Sequence, residues 1–148
     1  IKAPGTLDAG DIMMVGDHFF IGRSERTNEI GAGQIVTILE KQGFTASVVE
    51  FSRMLHLKSG LAYLENNSLF ACQSCSVLTA FEDLDIIEVP NDEVYAANSI
   101  WVNSRVSMPA GFPKTRERIR ACGYEVIEVD TSEYQKLDGG VSCLSLRF

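Results

Sequence analysis

One order of local signals occurs three times along this chain: a hairpin, a helix-like or polar stretch, then a strand, at a spacing of roughly 40 to 50 residues. In the first occurrence, DIMMVG (11–16) and HFFIG (18–22) read as a hairpin. SERTNEIGAGQIVTILEKQG (24–43) reads as a helix capped by Ser24, stopped by Gly43, and carrying Thr27, Ile35, Ile38 and Leu39 on an inward stripe. TASVVEF (45–51) reads as the following strand. The second runs through LAYLE (61–65), the turn Asn66-Asn67, SLFAC (68–72), a polar stretch at 73–83 and IIEVP (86–90). The third runs through SIWVN (99–103), SRVSMP (104–109), a helix KTRERIRACG (114–123) and YEVIEV (124–129). GVSCLSLRF (140–148) reads as one more strand. A ββαβ unit cannot bury its sheet faces alone, and arranging several around an axis satisfies them. The expectation is an α+β chain of three modules, roughly 8–51, 58–90 and 97–129, with a terminal strand 140–148.

At 148 residues, 45% of them hydrophobic, the chain has the material for one domain with a real core. The net charge of −7, with basic residues scattered rather than striped, argues against a nucleic-acid or anionic-membrane surface and suits a small cationic ligand. No apolar run approaches the ~18 residues of a membrane helix, and the first residues do not form a secretory leader. With the four cysteines read as reduced thiols, a cytoplasmic location is expected. Cys72 and Cys75 form a lone CQSC with no later partner pair or histidine, so no metal site is expected and a structural role is preferred.

A few residues carry reactive groups. Cys143 follows Gly139-Gly140, a pair that permits close approach to the backbone; packing and nucleophilic attack both fit it. His56, in SRMLHLKSG, reads either as a core histidine or as a general acid and base for a thiol. His18 falls in a hairpin turn and reads as solvent-exposed. Asp8 and Asp11, in TLDAGD, read as turn residues or as a carboxylate that orients an imidazole or meets a cationic substrate. Arg23 and Arg26 read as solvated, or as a bidentate holder of a substrate carboxylate.

Taken together and in order, LDAGDIMMVGDHFFIGRSERTN, LHLKSG, VPNDEVYAANSIWVN and KLDGGVSCLSL resemble the amidinotransferase superfamily, and within it the dimethylarginine dimethylaminohydrolases. The resemblance implies an α-β propeller, with ββαβ modules around a pseudo-fivefold axis that are incomplete in this chain, and an active site in the central channel. It implies a catalytic set of Cys143 as nucleophile, His56 as acid and base, and Asp8 as the acidic partner. Arg26 would bind the substrate carboxylate, and Leu137 and Asp138 would line the substrate. Arginine deiminases carry His-x-Asp where this chain has His56-Leu57-Lys58, which favours the dimethylarginine branch.

The implied reaction converts Nω-methylated arginine to citrulline and methylamine or dimethylamine through a covalent thiouronium, with no metal or organic cofactor. The acids that bind the guanidinium in the family have no counterpart in these residues. The chain is therefore expected to be the C-terminal portion of a longer enzyme, or to work with a separate N-terminal chain or as a homo-oligomer. An arginine deiminase or amidinotransferase activity, or a non-catalytic fragment retaining the fold, are the alternatives.

Overall fold

The computed structural model describes residues 1–51, 54–72 and 76–145. They fall into two compact units, Ile1–Lys58 with Ser74–Glu82, and Ser59–Gln73 with Asp83–Phe148.

In the first unit, β1 (Ile12–Val15) and β2 (His18–Arg23) form an antiparallel hairpin in which Val15 faces His18. Gly16, at φ +58°, opens the two-residue turn at the position that demands a positive φ. After helix α1 (Glu29–Lys41), β3 (Thr45–Glu50) pairs with β2 in parallel, and a single helical turn, α2 (Leu57–Gly60), comes next in the chain. Met13, Ile21, Ala32, Val49, Leu57 and Phe81 are buried, and the ring of Phe20 lies 4.4 Å from that of Phe81.

Helix α1 differs from its expectation at its start. Asn28, not Ser24, is the cap, with Oδ1 accepting the Gly31 N–H at 2.8 Å. Ser24 is committed elsewhere: its hydroxyl accepts the N–H groups of Arg26 and Thr27 and donates to Asp11. Gly43, at φ +88°, follows the last turn as expected. The inward face is centred on Ala32, Ile35 and Leu39, whereas Ile38 is 47% exposed. His18 also differs: it begins β2, and its ring nitrogens bond Thr45 Oγ1 at 2.7 Å and Ser47 Oγ at 2.8 Å.

The second unit contains two sheets of the same plan. Strands β4 (Leu61–Tyr63), β5 (Ser68–Cys72) and β6 (Asp85–Val89) form one; β7 (Ile100–Val102), β8 (Arg105–Pro109) and β9 (Glu125–Val129) form the other. In each, the first pair is antiparallel and the second parallel. The β7–β8 turn places Asn103 and Ser104 at φ +51° and +63°, the pattern of a type I′ hairpin. Leu64, Phe70, Val89, Val106, Met108 and Ile119 meet in one core cluster. Burying each such side chain contributes about 1.5–3 kcal/mol.

Helix α3 (Pro113–Ala121) starts with Pro113 at its first turn and has no cap from Phe112. Glu93 supplies the cap from a distance, its carboxylate accepting the N–H groups of Lys114 and Thr115 at 3.2 and 2.7 Å. Between β5 and β6 the chain forms a 3-10 helix, Ser76–Phe81, rather than an α-helix.

The expected terminal strand is not present among the described residues: 141–144 form a turn, and 146–148 lie outside the described residues. The sulfur of Cys143 folds back onto Gly140, and Leu144 N–H bonds the Gly140 carbonyl at 3.1 Å, which curls the backbone away from an extended course. The expectation of four reduced thiols also fails. Cys72 is disulfide-bonded, Cys122 and Cys143 are free, and Cys75 lies outside the described residues. No helix among the described residues is long and apolar enough to cross a membrane.

Candidate active site

The expected site residues fall into two constellations, one in each unit. In the first, residues 2–8 are pinned against the start of α1. Asn28 N–H donates to Thr6 O at 3.2 Å, Thr6 N–H donates to Asn28 Oδ1 at 3.1 Å, and the Lys2 and Gln34 amides exchange hydrogen bonds. Gly31 makes this approach possible: a Cβ there would stand 1.9 Å from the Thr6 carbonyl oxygen. The segment delivers Asp8, whose N–H donates to Thr27 Oγ1 at 3.0 Å and whose Oδ1 accepts the Gly10 N–H at 2.8 Å.

Asp11 is fully buried, and its carboxylate accepts three hydrogen bonds. Oδ2 accepts the hydroxyls of Ser24 at 2.7 Å and Thr27 at 2.6 Å, while Oδ1 accepts the Leu57 N–H at 3.1 Å. That last bond fixes the backbone next to His56. The imidazole lies flat against Gly10, where a Cβ would come within 2.7 Å of its Cγ. His56 Nδ1 is 3.4 Å from Asp11 Oδ1 and 3.9 Å from Asp8 Oδ1. Neither contact is aligned as a hydrogen bond, so Nδ1 is buried without a hydrogen-bond partner among the described residues. That nitrogen can donate whenever it carries a proton, as it does in one neutral tautomer and in the imidazolium.

Arg26 is 59% exposed and lies 3.9 Å from Asp8 Oδ2. Asp8 thus stands between the guanidinium and the imidazole, partly open to solvent, whereas Asp11 is closed off. Arg23 pairs instead with Glu50 at 2.7 Å.

In the second unit, Cys143 is an exposed free thiol. Its Sγ receives the Gly140 N–H at 3.0 Å and donates to the Gly140 carbonyl at 3.1 Å. The preceding helix α4 (Ser132–Gln135) ends in a tight turn, in which Gly139 N–H bonds Tyr134 O at 2.9 Å. That turn leaves Leu137 86% exposed and holds Asp138 at φ +58°. Two residues not singled out from sequence contact this segment: Asn98 bonds Ser142, and Tyr95 bonds Gly139. Both lie in a polar run, VPNDEVYAANS, and nothing in its spacing separates them from ordinary loop residues. An open cavity of about 400 Å³ in the same unit, lined by Asn66, Ser68, Trp101, Ser104, Cys122, Gly123 and Tyr124, includes none of the expected residues.

The sheet plan is shared with solved proteins of one class. An amidinotransferase from Microseira wollei, of the saxitoxin biosynthetic pathway, matches 99% of this chain and 48% of its own, with a TM-score of 0.87 at 18% identity. The fold is therefore one shared with this amidinotransferase, an α/β-propeller-like class assembled from small sheets.

More narrowly, the chain is homologous over its whole length to the dimethylarginine dimethylaminohydrolases. It is 64% identical over 148 residues to the N(G),N(G)-dimethylarginine dimethylaminohydrolase of Pseudomonas aeruginosa. A structure of a cysteine-to-serine variant of the Pseudomonas aeruginosa enzyme, complexed with citrulline, superposes with a TM-score of 0.95 at 62% identity. That match covers 100% of this chain and 58% of the other. The chain thus spans little more than half the length of these relatives. No protein-family model matches the sequence.

Proposed function

We propose that this chain supplies the nucleophile and the acid-base group of a cysteine hydrolase acting on Nω-methylated arginine. The reading is supported above all by the 64% identity along all 148 residues to a dimethylarginine dimethylaminohydrolase. The citrulline held by the Pseudomonas relative suits the product of that reaction.

In the proposed cycle, the Cys143 thiolate attacks the guanidinium carbon, forming a C–S bond. The C–N bond to the methylated nitrogen then breaks, and His56 gives its proton to the departing methylamine or dimethylamine. A thiouronium remains on Cys143. His56, now neutral, takes a proton from water as the water oxygen bonds the same carbon. Collapse of that adduct expels the thiolate, and release of the hydroxyl proton to solvent leaves the ureido group of citrulline. Asp8 and Asp11 orient the imidazole ring, Arg26 receives the substrate carboxylate, and Leu137 and Asp138 line its path.

The activity is proposed for the protein in which the chain works, whether the acids that bind the guanidinium come from the same polypeptide or from another. The test is incubation with Nω,Nω-dimethylarginine and, separately, with arginine, followed by quantification of dimethylamine, ammonia and citrulline. Dimethylamine and citrulline in equal amounts, abolished by Cys143→Ser, are expected. Ammonia from arginine at the higher rate would replace the reading with a deiminase.

A further inference from the structure

The turn that carries Cys143 is tied to one short segment through two side chains with no assigned role. Asn98 is buried at the end of the 3-10 helix Asn91–Ala97, and its Oδ1 accepts the Ser142 N–H at 2.8 Å. A Cβ on Gly140 would stand 2.5 to 2.7 Å from three atoms of the Asn98 carboxamide, so the backbone passes directly over it. Tyr95, one turn earlier in the same helix, donates its hydroxyl to the Gly139 carbonyl at 2.6 Å; Thr131 Oγ1 lies 3.1 Å from that hydroxyl. The backbone is therefore held on both sides of Gly140. The N–H between those anchors is the one that meets Cys143 Sγ at 3.0 Å. The same sulfur donates to the Gly140 carbonyl at 3.1 Å, a bond that a thiolate cannot make, whereas the N–H bond is one that a sulfur anion accepts more strongly than a neutral thiol does.

We propose that Asn98 and Tyr95 are positioning residues for the Cys143 nucleophile: they clamp residues 139–142 so that the Gly140 N–H stays aimed at the sulfur. This rests on the reading of Cys143 as the nucleophile. A purely structural turn would make the same bonds, but its loss would lower stability without changing the chemistry of a protein that still folds.

The experiment is alkylation of Cys143 by 2-chloroacetamidine, followed by intact-mass spectrometry across reagent concentrations. It yields a maximal rate and a half-saturation concentration for each variant. Circular dichroism reports whether each variant is folded, and alkylation of the exposed Cys122 supplies the rate of an ordinary thiol. Asn98→Ala is expected to lower the maximal rate about tenfold, as for one lost buried hydrogen bond, with half-saturation changed less than about twofold. Tyr95→Phe should move the same parameter in the same direction, and decides the matter if Asn98→Ala does not fold. Gly140→Ala should be as harmful as Asn98→Ala, yet nearly neutral when added to it, because the carboxamide it collides with is gone.

Unchanged maximal rates in folded Asn98→Ala and Tyr95→Phe, or a Gly140→Ala effect independent of Asn98, would overturn the clamp while leaving the nucleophile in place. If Cys143 of the unsubstituted protein reacts no faster than Cys122, the nucleophile reading fails and takes the clamp with it.

Discussion

His56 Nδ1 lies 3.4 Å from Oδ1 of Asp11, a carboxylate with no exposure to solvent, and 3.9 Å from the partly open carboxylate of Asp8. The two acids have different surroundings and so different expected roles. Asp11 is occupied by two hydroxyls and the Leu57 N–H, which makes it the group that holds the His56 backbone. Asp8, between Arg26 and the ring, is the one free to meet a ligand.

Asp11→Asn should therefore damage the fold as well as the site. An amide presents one acceptor and one donor where three donors converge, leaving at least one of them unpaired at a cost of about 1–3 kcal/mol. Asp8→Asn, at a half-exposed position, should leave the thermal midpoint nearly unchanged while lowering turnover. Thermal melts and initial rates on both variants check this, and equal loss of midpoint in the two would contradict it.

Gly10→Ala tests the seat of the imidazole. The added methyl would come within 2.7 Å of Cγ and 3.0 Å of Cδ2 and Nδ1, so the ring must move. A displaced base costs rate more than affinity. The expected result is a fall in kcat of about tenfold or more with a small change in KM.

Gly31→Ala places a methyl 1.9 Å from the Thr6 carbonyl, a backbone atom that cannot swing aside. Alanine is the better helix former by about 1 kcal/mol, so local propensity predicts stabilisation. The collision should win, lowering the midpoint and freeing residues 2–8. Faster amide hydrogen exchange over that segment is the accompanying signature, and a raised midpoint would refute the contact.

Glu93 gives a stability term with a definite sign in pH. Burial pushes its carboxyl upward, but the Thr115 and Lys114 hydrogen bonds outweigh burial and hold it below the ordinary value of 4.5. A group lowered by folding stabilises the protein above its unfolded value, and that contribution is lost as pH falls through the folded value. The difference in midpoint between the unsubstituted protein and Glu93→Gln should be largest near neutrality and shrink on acidification below about pH 4.5. A difference constant from pH 7 to pH 3 would show that the charge on Glu93 does not matter to the α3 cap.

Much of the fold was legible in residue order. The three hairpin-to-strand modules came from short apolar runs separated by turn residues, signals that act over a few positions and survive in the chain as written. Boundaries set by competition were not legible. Ser24 and Asn28 are both good caps, and only the presence of Asp11 nearby decides that Ser24 turns away from the helix. The extended appearance of GVSCL (140–144) gave way to a turn in which the Leu144 N–H closes onto the Gly140 carbonyl and the Ser142 N–H bonds Asn98.

The site divides in the same way. Cys143, His56, Asp8 and Arg26 were candidates from the sequence because thiol, imidazole and charge are properties of side-chain chemistry and because their stretches resemble a known family. Which carboxylate is buried, which glycines must lack a Cβ, and which side chains hold the cysteine turn could not. Those depend on distances between residues tens of positions apart, such as Asp11 to Leu57 and Asn98 to Ser142, and only the tertiary structure sets such distances.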